Sequence, residues 1–595
     1  MSAYVASASG SANTGSARRE DPSHSEGSWR RRLIRKLLYG NNVDRHTKAR
    51  ARLGLAILAF TVGYGIIAGR LIMFASVPES HMARRNNSAD AVSTARPDIV
   101  DRNGVILATD IRAPSLFAEP HRIIDVDDAV ELLAEAVPDI DVAEMRERLR
   151  SKRRFAWLKR EISPKQRADI HRLGLPGIGF MQENKRVYPN GNAVSHVVGH
   201  VDIDNKGTAG LEKWMDLRGL PELHMAGFAT DRLDRPVELS IDLRAQHALR
   251  DELVKARTKF KAKAAAGLVT DARTGEVVAM VSVPDYDSNN PKEALDRNRI
   301  NRLTVGVYEM GSTFKSLTLA MALDSGRIGL KDSFDARAPL QYGKHTVHDF
   351  HAQNRMLTVP EVFTYSSNIG VARMALKLGV DYHKSFLRKL GQLDRLRTEV
   401  ESAPPLVPRN WGELNTVTIA FGHGLSVAPL QAMMAVGALV NGGNLIPPTF
   451  RKRTEQEALT YATRVIKPET SEKMRYLMRL NVEKGTATKA DVTGYYVGGK
   501  TGTAEKVVAG RYSKTRVLTS FTAVLPADQP RYLVLIMIDE PQGLPETQGH
   551  ATSGWNAVPV GGAVITRIAP LLGLEPRFEL PKSDQLILAS AREGR

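Results

Sequence analysis

At 595 residues the chain exceeds what one hydrophobic core supports, and two or three domains are the natural partition. It contains no cysteine, which excludes disulfide staples, thiolate nucleophiles and cysteine-ligated metal sites. The net charge of +18 would suit nucleic acid, but residues 1–52 carry eleven Lys/Arg against four Asp/Glu, so much of the excess is local and no nucleic-acid partner is expected.

The first 28 residues are rich in Ser, Gly and Ala, can bury little and are expected to be disordered. Arg30-Arg31-Arg32, Arg35, Lys36, Arg45, Lys48, Arg50 and Arg52 then lead into Leu53–Val77, which has no charge from Leu53 to Gly69. As a helix this segment reaches roughly 37 Å, enough to span a bilayer. The cations before it predict a cytoplasmic amino terminus and an extracytoplasmic remainder. Its length favours an uncleaved anchor over a signal peptide. Arg70 would snorkel to the outer interface or meet a partner helix. The expected order is a basic cytoplasmic tail (1–52), a transmembrane anchor (53–77) and a polar stalk from Pro78 to about Ala95.

Arg96 to Ala108 reads as a strand, an Asn103-Gly104 turn and a second strand. His196 and His200 stand four apart, a spacing that suits two metal ligands on a helix. Gly199 with β-branched Val197 and Val198 favours a strand or turn instead, and the histidines are read as structural. The alternating acids from Asp202 to Glu212 fail the twelve-residue calcium-loop spacing. No metal and no cofactor is expected. Near Val237 the pattern changes to a helix from Leu243 to Lys263, then two antiparallel strands, Ala264–Asp271 and Glu276–Ser282, about Arg273-Thr274-Gly275. A boundary near 236 therefore divides the extracytoplasmic part into 78–235 and 236–573, with a tail at 574–595 that has no assigned place.

Three short patterns carry chemistry. Ser312 and Lys315 open an apolar run, so a helix beginning at Ser312 would put a nucleophile and its base on one face, with free backbone N–H groups favouring developing negative charge. Ser366 and Asn368, after another apolar stretch, add a hydroxyl and an amide. Ser-x-Asn alone is a weak pattern, and it recurs at Ser11-Ala12-Asn13 and Ser288-Asn289-Asn290. Lys500-Thr501-Gly502-Thr503 lies in a strand with a cation, small residues and hydroxyls, and Lys-Thr-Gly is expected by chance only about 0.1 times in such a chain. Ser520–Val524 and Tyr532–Ile538 read as strands, Asp539–Gly554 as a long polar loop and Val560–Leu572 as a closing helix.

In this order the patterns resemble those of the penicilloyl-serine transferases. The resemblance runs over roughly residues 50–570, through the anchor, Asp101-Arg102-Asn103-Gly104, Arg186 to Pro189, Gly207 to Glu212 and Phe421 to Leu425. It is that of class B penicillin-binding proteins, and most of all of the division-specific peptidoglycan D,D-transpeptidases; Asn368 favours these over the alternative, elongation-type relatives, which usually carry aspartate there. Met310, Pro97 and Gly499 depart from common family residues without removing a catalytic group.

The resemblance implies an α/β (α+β) fold in which helices flank a five-stranded antiparallel sheet, preceded by an elongated pedestal of dimerisation type over 78–235. It implies that Ser312 attacks the carbonyl between two terminal D-alanines, Lys315 takes its proton, Ser366 relays a proton to the leaving group and Asn368 orients Lys315 and the substrate amide. Lys500 would be the second cation, Thr501 and Thr503 would bind the substrate carboxylate beside Gly502, and backbone N–H groups of Ser312 and Thr503 would form the oxyanion hole. For Lys315 to act near neutral pH its pKa must fall by roughly 3 units, about 4 kcal/mol of environment. The implied partners are peptidoglycan stem peptides and lipid-linked nascent glycan, β-lactams, the membrane, a polytopic glycan polymerase and other division proteins. The implied place is the inner (cytoplasmic) membrane at the septum, with the catalytic domain periplasmic. The enzymatic rival, a membrane-anchored β-lactamase, needs a water-activating residue that the sequence does not identify; a β-lactam-sensing receptor and an inactive scaffold fit less well.

Overall fold

A computed structural model describes residues 45–76, 96–219, 235–508, 510–579 and 583. The tail before residue 45, the stalk at 78–95 and most of the stretch beyond 579 lie outside the described residues. Residues 1–92 and 93–595 form separate units. In the first, Arg45–Ser76 is one helix (α1), and Leu53–Leu71 within it has a mean hydropathy of 1.6. Leu58, Phe60 and Ile66 are 61%, 68% and 64% exposed, an all-round apolar surface that fits a single-pass membrane anchor.

The second unit begins with β1 (Ile99–Val100) and the long β2 (Ile106–Ala118), joined through the expected turn. Gly104 adopts φ +85°, and the Asp101 carboxylate accepts the N–H groups of Asn103 and Val105 at 2.8 and 2.9 Å. The helices α2 (Val126–Ala136), α3 (Val142–Arg150) and α4 (Pro164–Leu173) share a small core with β2, including Leu116, Leu133, Met145, Leu149 and Ile170. Around them, β3 (Ala156–Lys159) and β4 (Ile178–Val187) pair antiparallel with β2, β4 over ten positions. The strand β5 (Val237–Glu238) pairs parallel with β1, so the chain returns to its starting strand before the second sheet begins.

Segments far apart in sequence are tied by a buried ionic network. Arg186 Nε lies 2.7 Å from Glu212 and Nη1 3.1 Å from Asp110, while Arg96 Nε meets Glu212 at 2.9 Å. With Arg186 and Glu212 side chains fully buried, each charge depends on the other for its solvation. His196 and His200 fall on a short helical turn (Ser195–Val198) and a two-residue strand (His200–Val201), not on one element. Both rings meet Tyr286 edge-on, with centroids 5.3 and 5.5 Å away.

The five-stranded sheet is antiparallel, as the resemblance implied. Its order is β8 (Gly498–Val508), β9 (Arg511–Leu525), β10 (Tyr532–Asp539), β6 (Ala264–Asp271) and β7 (Val277–Val283). Strand side chains alternate faces, and here both faces are covered. Val534, Ile536 and Ile538 join Leu249 and Leu253 of α5 (Leu243–Lys259) and Ile565 and Ile568 of α10 (Ala557–Leu571) in one core. Leu533, Leu535 and Met537 join Leu317 of α6 (Phe314–Asp324), Val436 of α8 (Pro429–Val440) and Leu477 of α9 (Pro468–Lys484) in the other. The helix α7 (Asn368–Leu378) packs against α6. The expected helix to Lys263 ends at Lys259 because Lys261 turns back at φ +45° into β6. The closing helix starts three residues early, at Ala557, whose N–H the Asn556 side chain accepts at 2.6 Å.

Candidate active site

The edge strand β8 lies against the amino end of α6. Gly311–Thr313 form a single 3₁₀ turn and α6 begins at Phe314, so Ser312 precedes the helix instead of starting it. Gly311, at φ +52°, bends the chain there, a conformation that costs a residue with a Cβ. At Gly502 a Cβ would stand 2.9 Å from the Met310 carbonyl oxygen, so only glycine lets strand and turn approach backbone to backbone.

Two buried lysines converge on one hydroxyl. Lys315, 1% exposed, donates from Nζ to Ser366 Oγ at 3.1 Å and also to the Ser366 carbonyl oxygen. Lys500, fully buried, donates to the same Oγ at 2.9 Å and to the Thr501 carbonyl oxygen at 3.3 Å. Ser366 adopts φ +55°, a strained left-handed conformation for serine, and this turn offers its carbonyl and hydroxyl to Lys315 together. Thr501 Oγ1 lies 2.7 Å from Thr486 Oγ1, and Thr503 Oγ1 accepts the Ser553 N–H at 3.3 Å. Ser312 is half-buried, and among the described residues its hydroxyl has no hydrogen-bond partner.

Asn368 stands at the amino end of α7. Its Nδ2 donates to the His348 carbonyl at 2.8 Å, and the atoms that hold Lys315 are those of Ser366.

Burial, the largest cause, pushes Lys315 down to about 7 from 10.5, with Asp349 opposing. Burial and a second cation, Lys500, were both expected to push it down; desolvation of the ammonium, the first of these, is the cause that lowers it. Lys500 is pushed well below the ordinary lysine range by burial first and then by Lys315, so the pair resists a second proton. His423 is pushed down to about 4 by burial and by Lys315, which leaves a neutral imidazole.

Several residues around the site carry no short-motif signal. Glu309 Oε1 accepts the Gly424 N–H at 2.7 Å and the Tyr512 hydroxyl at 3.0 Å, tying the turn before Ser312 to the Phe421–Leu425 loop and to the hairpin of β8 and β9. The His423 and Tyr512 rings lie 5.3 Å apart. His348 and Asp349 hold the start of α7. The one available hint was a lone acid three residues before Ser312, which composition and periodicity do not distinguish.

The model of the penicillin binding protein transpeptidase domain matches residues 265–558, and that of the penicillin-binding protein dimerisation domain matches residues 91–218. The chain is 40% identical over 545 residues, 90% of each chain, to a Caulobacter vibrioides protein named "Probable peptidoglycan D,D-transpeptidase FtsI". It is 33% identical over 527 residues, 84% of this chain and 90% of the other, to "Probable peptidoglycan D,D-transpeptidase PenA" of Neisseria gonorrhoeae. It is 30% identical over 558 residues, 88% of this chain and 91% of the other, to "Peptidoglycan D,D-transpeptidase FtsI" of Escherichia coli.

Proposed function

The chain belongs to the class B penicillin-binding proteins of the FtsI type, and on that premise we propose how its residues cross-link peptidoglycan during cell division. As a peptidoglycan D,D-transpeptidase it joins one stem peptide to another through an acyl-enzyme. Ser312 Oγ passes its proton to neutral Lys315 Nζ and bonds to the carbonyl carbon of the penultimate D-alanine. The backbone N–H groups of Ser312 and Thr503 hold the resulting oxyanion, a contribution of about 3–4 kcal/mol per donor in comparable sites. The C–N bond then breaks, and the departing D-alanine nitrogen takes its proton through Ser366, which lies in reach of both lysines. An amine of a second stem peptide attacks the ester, loses a proton to the same group and releases Ser312 with its hydroxyl restored. Thr501 and Thr503 receive the donor carboxylate next to Lys500, and Asn368 receives the substrate amide.

The observation that carries this reading is the meeting of Lys315 and Lys500 at Ser366 Oγ. Burying two lysines costs stability, and groups whose basicity is so depressed cluster at functional sites. In the proposed topology the tail before α1 is cytoplasmic, residues 78–235 form the pedestal and 236–573 the periplasmic transpeptidase domain at the septum. The helix α1 is the surface offered to a polytopic glycan polymerase.

The reading is tested with a thioester acyl donor and an amine acceptor. The unsubstituted chain should release thiol and form amide, while Ser312→Ala should form neither. Amide formation by Ser312→Ala would overturn the assignment.

A further inference from the structure

The strained Ser366 turn is gripped from outside the three motifs. A short strand, His345–Val347, delivers His348 and Asp349 to the amino end of α7. There Asp349 Oδ2 accepts the Ser367 hydroxyl at 2.7 Å and Oδ1 accepts the Ile369 N–H at 2.9 Å. Ser367 Oγ in turn accepts the Gly370 N–H at 2.9 Å, and the His348 carbonyl accepts Asn368 Nδ2 at 2.8 Å. The residues on the carboxyl side of Ser366 are therefore held in succession, which is what a left-handed serine requires if it is to stay in that conformation.

A carboxylate at a helix amino end is an ordinary stabilising cap. Two features go beyond a cap. The turn it holds carries the atoms on which Lys315 and Lys500 converge. Its charge also acts on Lys315, and the charged or titratable groups near this centre among the described residues include Lys500 on β8, His423 on the Phe421–Leu425 loop, and His348 and Tyr365 beside Asp349 and Ser366 in the chain.

We propose that Asp349 is a positioning residue of the transpeptidase centre, anchoring the Ser366 turn for both lysines and supplying a negative charge to the surroundings of Lys315. The assignment rests on the transpeptidase reading. Removing the side chain frees the turn and slows acylation by misplacing Ser366 against Lys315. Removing only the charge leaves an acceptor for the Ile369 N–H and makes the Lys315 ammonium less favourable.

The test uses the full-length chain in detergent micelles, with fluorescent penicillin acylation followed from pH 5.5 to 9, the labelled residue mapped and thermal unfolding recorded. Asp349→Ala should lower the plateau acylation rate about tenfold or more, with the label still on Ser312. Asp349→Asn should retain most of the plateau and move the midpoint of the pH profile down by roughly half a unit. An Asn variant with the parent midpoint would overturn the proposal, even if Asp349→Ala lowered both rate and melting temperature, because a mere helix cap predicts that pattern. An Ala variant that reacts at the parent rate would also overturn it. No adduct on Ser312 in the unsubstituted chain would remove the transpeptidase reading itself, and this assignment with it.

Discussion

Acylation should rise with pH across the neutral range, and Lys315 sets where. Burial lowers its folded pKa from 10.5 to about 7, and only the neutral amine can take the Ser312 proton. At pH 6 about a tenth of the molecules hold neutral Lys315, and at pH 8 about nine tenths, so the acylation rate constant should increase roughly tenfold between them. The same shift appears in stability with a definite sign. The unfolded chain keeps the lysine proton up to about 10.5 and the folded chain releases it near 7, so unfolding free energy gains from this group as pH rises from 7 to 10.5. The full gain is about 5 kcal/mol for a shift of this size. Lys315→Met, which removes one of the two buried titrating lysines, should lessen the slope of this part of the stability profile, Lys500 accounting for what remains, and abolish acylation. The assays are stopped-flow acylation by a fluorescent penicillin and denaturant unfolding across pH 6–10. An acylation profile flat or falling between pH 6 and 8 would refute the reasoning.

Three further outcomes are expected. Gly422→Ala puts a Cβ 1.9 Å from the Gly311 carbonyl oxygen at φ +92° and should displace the nucleophile turn, costing about a hundredfold in acylation; a rate within twofold of the parent would show that the turn tolerates the shift. Glu212→Ala leaves fully buried Arg186 without its main partner and should cost about 3–5 kcal/mol, read as a large fall in melting temperature; a fall of a degree or less would contradict the network's role. Protease added to spheroplasts should digest the large domain and spare a tag at Met1, and the reverse pattern would contradict the proposed topology.

The three motifs were legible because the chemistry fixes residue type and spacing locally: Ser312 with Lys315 within one turn, Ser366 with Asn368, and Lys500 through Thr503 on one strand. The sheet was legible where strands are near-continuous apolar runs, as at Tyr532–Ile538, since both faces are buried. Element ends were less so. The start of α6 moved to Phe314 because Gly311 takes a left-handed turn, a backbone choice set by the neighbouring β8 strand and not by the apolar pattern. Long-range pairing was beyond local pattern altogether: β5 beside β1, and β4 along ten residues of β2, are registers between distant segments. The same limit hid Asp349 and His348. They sit 17 and 18 positions before Ser366 in a loop with no period, and only the folded chain brings them to Ser367, Asn368 and Ile369. Asn368 shows the converse: its motif was legible, while its hydrogen-bond partner, the His348 carbonyl, was not.

The central claim is that Ser312 forms an acyl-enzyme that an amine resolves far better than water. Water needs a base to activate it, and without one this catalysis loses about 10²–10⁴-fold. The direct measurement is intact mass of penicillin-treated protein after free drug is removed, followed over time, with the modified peptide mapped. The account predicts a single penicilloyl adduct on Ser312 that lasts many minutes. An adduct on another residue, or release within seconds with repeated turnover of the drug, would contradict it.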